Sequence, residues 1–144
     1  MATIRLEVVS PDRQVCDREI GMLIVRSTGG ELGILPRHAP LVTGLIPHVM
    51  RIKQGLGGGE EEVMAIGGGF MEVTPEKITI LAAAAEEPKD IDVARAQAAY
   101  QRAKQRIEAY KTAPKDSASI DIDRAQLALA RAMARLAATK NPIQ

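Results

Sequence analysis

From Thr3 to Val9 the chain alternates, with Ile4, Leu6 and Val8 on one face and Arg5 and Glu7 on the other. A period of two marks a strand with one buried face. Ser10-Pro11-Asp12 ends it with turn chemistry. Further short apolar runs follow at Arg13 to Cys16, Gly21 to Ser27, Leu41 to Ile46, His48 to Lys53, Glu61 to Ile66, Phe70 to Val73 and Lys77 to Leu81. Gly- and Pro-rich segments separate them: Thr28-Gly29-Gly30, Pro36 to Pro40, Gly55 to Gly59, Gly67-Gly68-Gly69 and Thr74-Pro75. Many short strands with this punctuation predict an antiparallel β-sandwich or barrel, and the lack of an intervening helical period argues against a parallel α/β sheet. With one Phe, two Tyr and no Trp, the core must be built from Ile, Leu, Val and Met.

Pro88 marks a change of period. From Asp92 to about Thr112 there is neither Gly nor Pro, and strong helix formers dominate. Ala96, Tyr100, Ala103, Ile107 and Tyr110 step by four and three, one stripe of a helix. Ala113 to Ser117 reads as a loop, and a second helix starts near Ser119 to Asp121 and runs to about Thr139, carrying Ile122, Ala125, Leu129, Ala132 and Leu136 on its stripe. A short link between two amphipathic helices predicts an antiparallel hairpin. The chain therefore divides into a sandwich over 1–87 and a helical hairpin over 88–144. The seam is rich in Ala, which buries few methylenes at about 0.8 kcal/mol each, so the hairpin is expected to open or repack readily. Both helices begin alike, Ile91-Asp92-Val93-Ala94-Arg95-Ala96-Gln97 and Ile120-Asp121-Ile122-Asp123-Arg124-Ala125-Gln126, which reads as a shared capping solution.

Composition sharpens this division. All twelve glycines lie between Gly21 and Gly69. The net charge of +1 conceals an acidic first region, −4 over residues 1–87, and a basic second region, +5 over residues 88–144. A basic segment on an acidic body suits an acidic partner or an anionic ligand; it also suits a merely solvated helix surface. The single Cys16 leaves no pair for an internal disulfide and fits a reducing compartment. The longest apolar stretch, Ile78 to Ala85, is far shorter than the roughly 20 residues a membrane helix needs. Arg5 and Glu7 interrupt any leader-like start. A soluble protein with no direct membrane insertion is the expectation.

Little reactive chemistry is visible. The Gly clusters lack the Lys-Ser/Thr of a phosphate loop, and Gly57-Gly58-Gly59 precedes three glutamates, which reads as a hairpin tip. His38 and His48 have no metal-ligand spacing, so no metal site is expected. No nucleophile motif is present, so no catalytic residue is assigned. Nucleic-acid binding would need a basic face with stacking aromatics, and the basic region offers only two Tyr. One constellation remains. Asp92 and Arg95 lie three apart at a helix start, Arg102 is two turns further on the same side, and Arg131 and Arg135 share a face of the second helix. Folding of the hairpin would either converge these guanidiniums, whose forks match phosphate oxygens, or leave each solvated beside the seam. Beside a structural and regulatory role, the arginines leave a second reading, a free-standing small-molecule binding module with the helices as a lid over them.

Gly30-Glu31-Leu32-Gly33-Ile34-Leu35-Pro36-Arg37-His38-Ala39-Pro40-Leu41 resembles a hallmark of the epsilon-subunit family of F-type rotary ATP synthases. Gly67-Gly68-Gly69-Phe70-Met71-Glu72-Val73, then Ile78 to Ala82 leading to Ala85-Glu86, and Ile91-Asp92 to Arg95-Ala96 are similar to three more, in family order along nearly the whole chain. The chain departs where the family has Gly in a Leu-x-Pro-Gly turn, with Ile46-Pro47-His48 here, and where an aromatic is usual, at Met64. The resemblance implies a β-sandwich followed by a helical hairpin, in a central-stalk subunit that is not a catalyst. It implies that the sandwich binds the gamma subunit and sits on the c-ring through the loop with Glu31, Gly33 and His38, where Leu32, Ile34 and Leu35 would form a small apolar edge. It implies an extended hairpin that meets the acidic segment of the beta subunit and inhibits ATP hydrolysis. In some bacterial members the folded hairpin binds ATP, and Glu86, Asp92, Arg95, Arg102, Arg131 and Arg135 match that pattern. No cofactor is required; ATP would be a regulatory ligand. The implied location is peripheral, on the cytoplasmic face of the cell membrane, in ATP synthesis coupled to ion transport, proton transport or sodium transport alike.

Overall fold

The computed structural model describes residues 2–55, 60–112 and 121–140. The expected glycine tip at 57–59, the loop at 113–117 and the start of the second helix at 119–120 lie outside the described residues. Eight strands form the first region: β1 (Ile4–Val9), β2 (Gln14–Ile20), β3 (Met22–Ser27), β4 (Gly30–Ile34), β5 (Leu41–Lys53), β6 (Glu61–Val73), β7 (Lys77–Ala82) and β8 (Ala85–Glu86). A short 3₁₀ turn, Pro88–Asp90, leads to α1 (Val93–Thr112) and then α2 (Ile122–Ala138). Among the described residues no helix is long and apolar enough to cross a membrane.

The strand order is β2-β1-β7-β6-β5-β3-β4, with β8 paired to β6. Residues from β1 through β8 enclose one apolar cluster, in which Ile4, Leu6, Ile20, Leu23, Ile34, Ile66, Ile78 and Ile80 are fully buried. This is the expected sandwich, its core aliphatic as the composition required. One pairing is not antiparallel: β1 runs parallel to β7. Those two strands are joined through most of the sandwich, so no tight hairpin forces opposite directions on them.

Two glycine- or proline-marked breaks turn out to be continuous strand. Leu41 to Ile46 and His48 to Lys53 are one strand, β5, and Glu61 to Ile66 and Phe70 to Val73 are one strand, β6. The inward phase changes along each: Leu45 and Met71 point to the core, but so do Met50, Ile52, Met64 and Ile66. Gly67-Gly68-Gly69 absorbs that change, with φ of +97° at Gly68 and +146° at Gly69. The glycines thus serve a corner inside a long strand, not a turn between two.

The hairpin folds onto this sandwich. Ala96 and Ala103 of α1 and Ala125, Ala132 and Leu136 of α2 are buried, as the stripes predicted; Tyr110 is largely exposed. A second buried set on α2, Ala134 and Ala138, was not anticipated. Ala138 joins Ala65, Ile91, Val49 and Val63 in a cluster between helix and sheet. α2 is therefore covered from two sides, by α1 and by β5–β6.

Candidate functional site

Asp92 sets the start of α1: its Oδ1 accepts from the Arg95 backbone N–H at 3.1 Å. Asp121 repeats the arrangement on α2, accepting from the Arg124 N–H at 3.1 Å. The repeated sequence is thus a pair of N-caps. In the first copy the cap also fixes the chain where it leaves the sandwich, so Arg95 and Arg102 emerge on one side of α1 beside β8.

Antiparallel packing brings the C-terminal end of α2 to that place. A cleft of about 400 Å³ is lined by Glu86, Asp92, Arg95, Arg102 and Arg135, with Asp90, Ala96 and Ala99 completing it. Arg135 Nε donates to Glu86 Oε1 at 2.6 Å, a half-buried ion pair between α2 and β8. Among the described residues neither Arg95 nor Arg102 is in an ion pair, and both are exposed to the cleft. The floor is small because Ala96 and Ala99 are small. Three guanidiniums face three carboxylates here, so the cleft is mixed in charge, with cations available along α1.

Arg131 does not join them. Its Nε donates to the Gly67 carbonyl at 3.0 Å, across 64 residues of chain. Gly67 also donates its own N–H to the Ala84 carbonyl at 2.7 Å, just ahead of β8. The Gly67 carbonyl becomes an anchor for α2 beside the cleft. Spacing placed Arg131 and Arg135 on one face correctly, but the helix rotation that separates their partners depends on the sheet beneath.

The other expected surface is partly corrected. Glu31 and Gly33 lie on the edge strand β4 rather than in a loop, and both are exposed. His38 lies beyond the strand, its Nδ1 donating to the Ala39 carbonyl at 2.7 Å. Ile34 is fully buried and Leu32 packs partly against the core, so neither makes the anticipated apolar edge; Leu35 remains exposed. Period-two alternation sends Leu32 and Ile34 inward together. Arg37 adopts a left-handed φ of +63°, and its N–H donates to the Pro75 carbonyl at 3.0 Å, tying this segment to the β6–β7 turn.

A third surface was missed. Val42, Phe70 and Leu81 are 74%, 65% and 57% exposed. Phe70 is paired with Gly44 on one side and Leu81 on the other, so the three form an apolar strip across β5, β6 and β7. Its signal was the phase: Met71 and Val73 face the core, so Phe70, the single Phe, must face out. Apolar strips of this kind mark protein contacts.

Comparison with known proteins matches residues 3–88 to the family model described as ATP synthase, Delta/Epsilon chain, beta-sandwich domain. Residues 89–140 match the model of the long alpha-helix domain of the same chain. The ATP synthase epsilon chain of Alkalihalophilus pseudofirmus is 50% identical over 111 residues, 77% of this chain and 81% of that protein. That of Bacillus subtilis is 45% identical over 109 residues, 76% and 80% of the two chains. Among solved structures, a chain of the Euglena gracilis mitochondrial ATP synthase (OSCP/F1/c-ring) aligns with TM-score 0.75 at 21% identity, covering 98% of this chain and 83% of its own. A chain of the Tetrahymena thermophila mitochondrial ATP synthase central stalk and c-ring aligns with TM-score 0.58 at 10% identity, over 94% and 96%. At those identities the structures speak for the fold.

Proposed function

Because this chain belongs to the ATP synthase delta/epsilon family, with epsilon chains among its relatives, we propose that it works as a non-catalytic central-stalk subunit whose hairpin is a nucleotide-sensitive regulator. The observation that carries this reading is the cleft in which Glu86, Asp92, Arg95, Arg102 and Arg135 meet only when α1 and α2 are folded on the sandwich. Residues from the sandwich and from both helices line it, so a ligand bound there holds all three together.

ATP suits the cleft by its chemistry. Its phosphates match the guanidiniums of Arg95 and Arg102, while the carboxylates of Asp92 and Asp90 accept hydrogen bonds from its neutral base or ribose. Binding only the docked form would favour that form by about 2.7 kcal/mol at a hundredfold excess over Kd. The released hairpin, with its +5 charge, would reach the acidic segment of the beta subunit and inhibit hydrolysis, steered by charge. No group in the cleft is placed as a nucleophile, so the bound ATP acts as a signal.

The sandwich supplies the fixed contacts. The strip of Val42, Phe70 and Leu81 suits the gamma subunit, and the segment with Glu31, Gly33, Leu35 and His38 suits the c-ring. The Tetrahymena chain comes from a central stalk and c-ring assembly, which supports these partners. The chain would then lie at the cytoplasmic face of the membrane without entering it.

Calorimetry on the isolated chain tests the site. ATP should bind, Arg95→Ala with Arg102→Ala should abolish the signal, and Arg37→Ala should not change it. Absence of heat up to millimolar ATP, or equal losses in all variants, would overturn the proposal.

A further inference from the structure

β3 and β5 do not stay in step. Ile24 pairs with Arg51 and Ser27 with Leu45, so three steps on β3 span six on β5. The surplus chain carries His48, at the position where the sequence departs from a Pro-Gly turn. His48 lines a cavity of about 440 Å³ whose opposite wall is α2, through Ala130, Met133, Ala134 and Ala137. The residue is only 9% exposed.

Its hydrogen bonding defines its protonation. Nδ1 lies 2.6 Å from the Ile46 carbonyl. A carbonyl only accepts, so Nδ1 carries the proton and donates. Nε2 is then a bare acceptor, and it is buried with no hydrogen-bond partner among the described residues. Adding a proton there would create a charged N–H with nothing to receive it.

The neighbouring groups offer no relief. Arg26 on β3 opposes a second positive charge. Glu31 on β4 is paired to Arg26 at 3.7 Å, and Arg51 on β5 is held by Glu61 of β6. Ile66 stands opposite His48 on β6 and is not titratable. α2 presents three alanines and Met133 to the cavity, and its Arg131 is turned to the Gly67 carbonyl.

We propose that His48 makes the docking of α2 on the sandwich pH-dependent, the neutral imidazole fitting beneath the docked helix and the protonated one favouring its release. This rests on the reading above that the hairpin leaves the sandwich. Burial above all pushes the imidazole below its ordinary 6.5; the hydrogen bond to the Ile46 carbonyl works against this, and the charge of Arg26 adds to it. Undocking readmits water and returns it toward that value. Docking is therefore at full strength above pH 6.5 and weakens as pH falls through 6.5, by up to about tenfold per unit until the docked imidazole itself titrates.

Native-state hydrogen exchange on the full chain between pH 7.5 and 5.5 tests this, above the ordinary carboxylate range. After correction for intrinsic rates, the opening constant of α2 amides should rise by up to about tenfold per pH unit below 6.5, relative to β6 amides. In His48→Gln it should not change with pH. A flat wild-type profile, or the same slope in His48→Gln, overturns the proposal. NMR titration of the His48 ring in the wild-type chain gives a check independent of any variant: a midpoint below 6.5 supports the proposal, and one at or above 6.5 overturns it. If α2 amides exchange only with the global unfolding seen in β6, the mobile-hairpin reading falls as well; local opening that ignores pH sinks this proposal alone.

Discussion

Gly69 shows how much one residue can decide. A Cβ there would lie 2.2 Å from the Leu81 carbonyl oxygen, on backbone already at φ +146°. Gly69→Ala should therefore cost about 2–4 kcal/mol in urea unfolding, since neither the backbone nor its neighbour can yield. Gly29→Ala, whose nearest such neighbour is Ser27 Oγ at 3.8 Å, should change stability by less than about 1 kcal/mol in the same assay. The two sequence contexts are alike, each a Gly beside a Gly, and only the packing separates them. Asp92 and Asp121, by contrast, were legible as residues. Each precedes a helical period with no Gly or Pro, and each caps as expected. Cys16 is half-buried, and burial pushes its thiol above the ordinary value of 9.0 despite Arg18. At pH 7 it should react with a thiol reagent several-fold more slowly than an unstructured cysteine.

Among the elements, α2 would carry the balance between the docked hairpin and its proposed release. Its small side chains reach both α1 and the sheet, which allows close approach but leaves few methylenes to hold it. Leu136 is the exception, fully buried. Leu136→Ala should cost about 2–5 kcal/mol of docking and raise exchange in α2 while β1 and β7 stay protected. Arg131→Ala should act in the same direction by freeing the Gly67 carbonyl, at about 1–3 kcal/mol. If Arg131 instead contacts nucleotide directly, its loss would weaken ATP binding without loosening the helix, and hydrogen exchange separates the two outcomes. The α1 and α2 stripes facing each other were readable from period alone. The Ala134 and Ala138 face was not, because alanine is common on exposed helix surfaces and signals burial only when something lies opposite.

For the whole molecule, the apolar cluster of the sandwich is closed by residues from Ile4 to Ala85. A chain ending at Glu87 should keep its strand signal and unfold cooperatively, whereas residues 88–144 alone should be largely unfolded by circular dichroism, lacking the sheet that covers α2. Loss of cooperativity in the shorter chain would show that α2 is part of the sandwich core. By itself the sequence determined the strand-rich first half, the two capped helices and the split of charge, because alternation, capping and charge act over a few residues. It also carried the family hallmarks and the candidate arginines. The tertiary structure alone decided that β5 and β6 run unbroken through Pro47 and the three glycines, and that Ile34 faces inward while Phe70 faces out. It alone turned Arg131 to the Gly67 carbonyl and enclosed His48 against α2. Those outcomes depend on which strand or helix lies opposite, and that partner is distant in sequence: burial and hydrogen-bond completion are properties of the pair, written in neither segment alone.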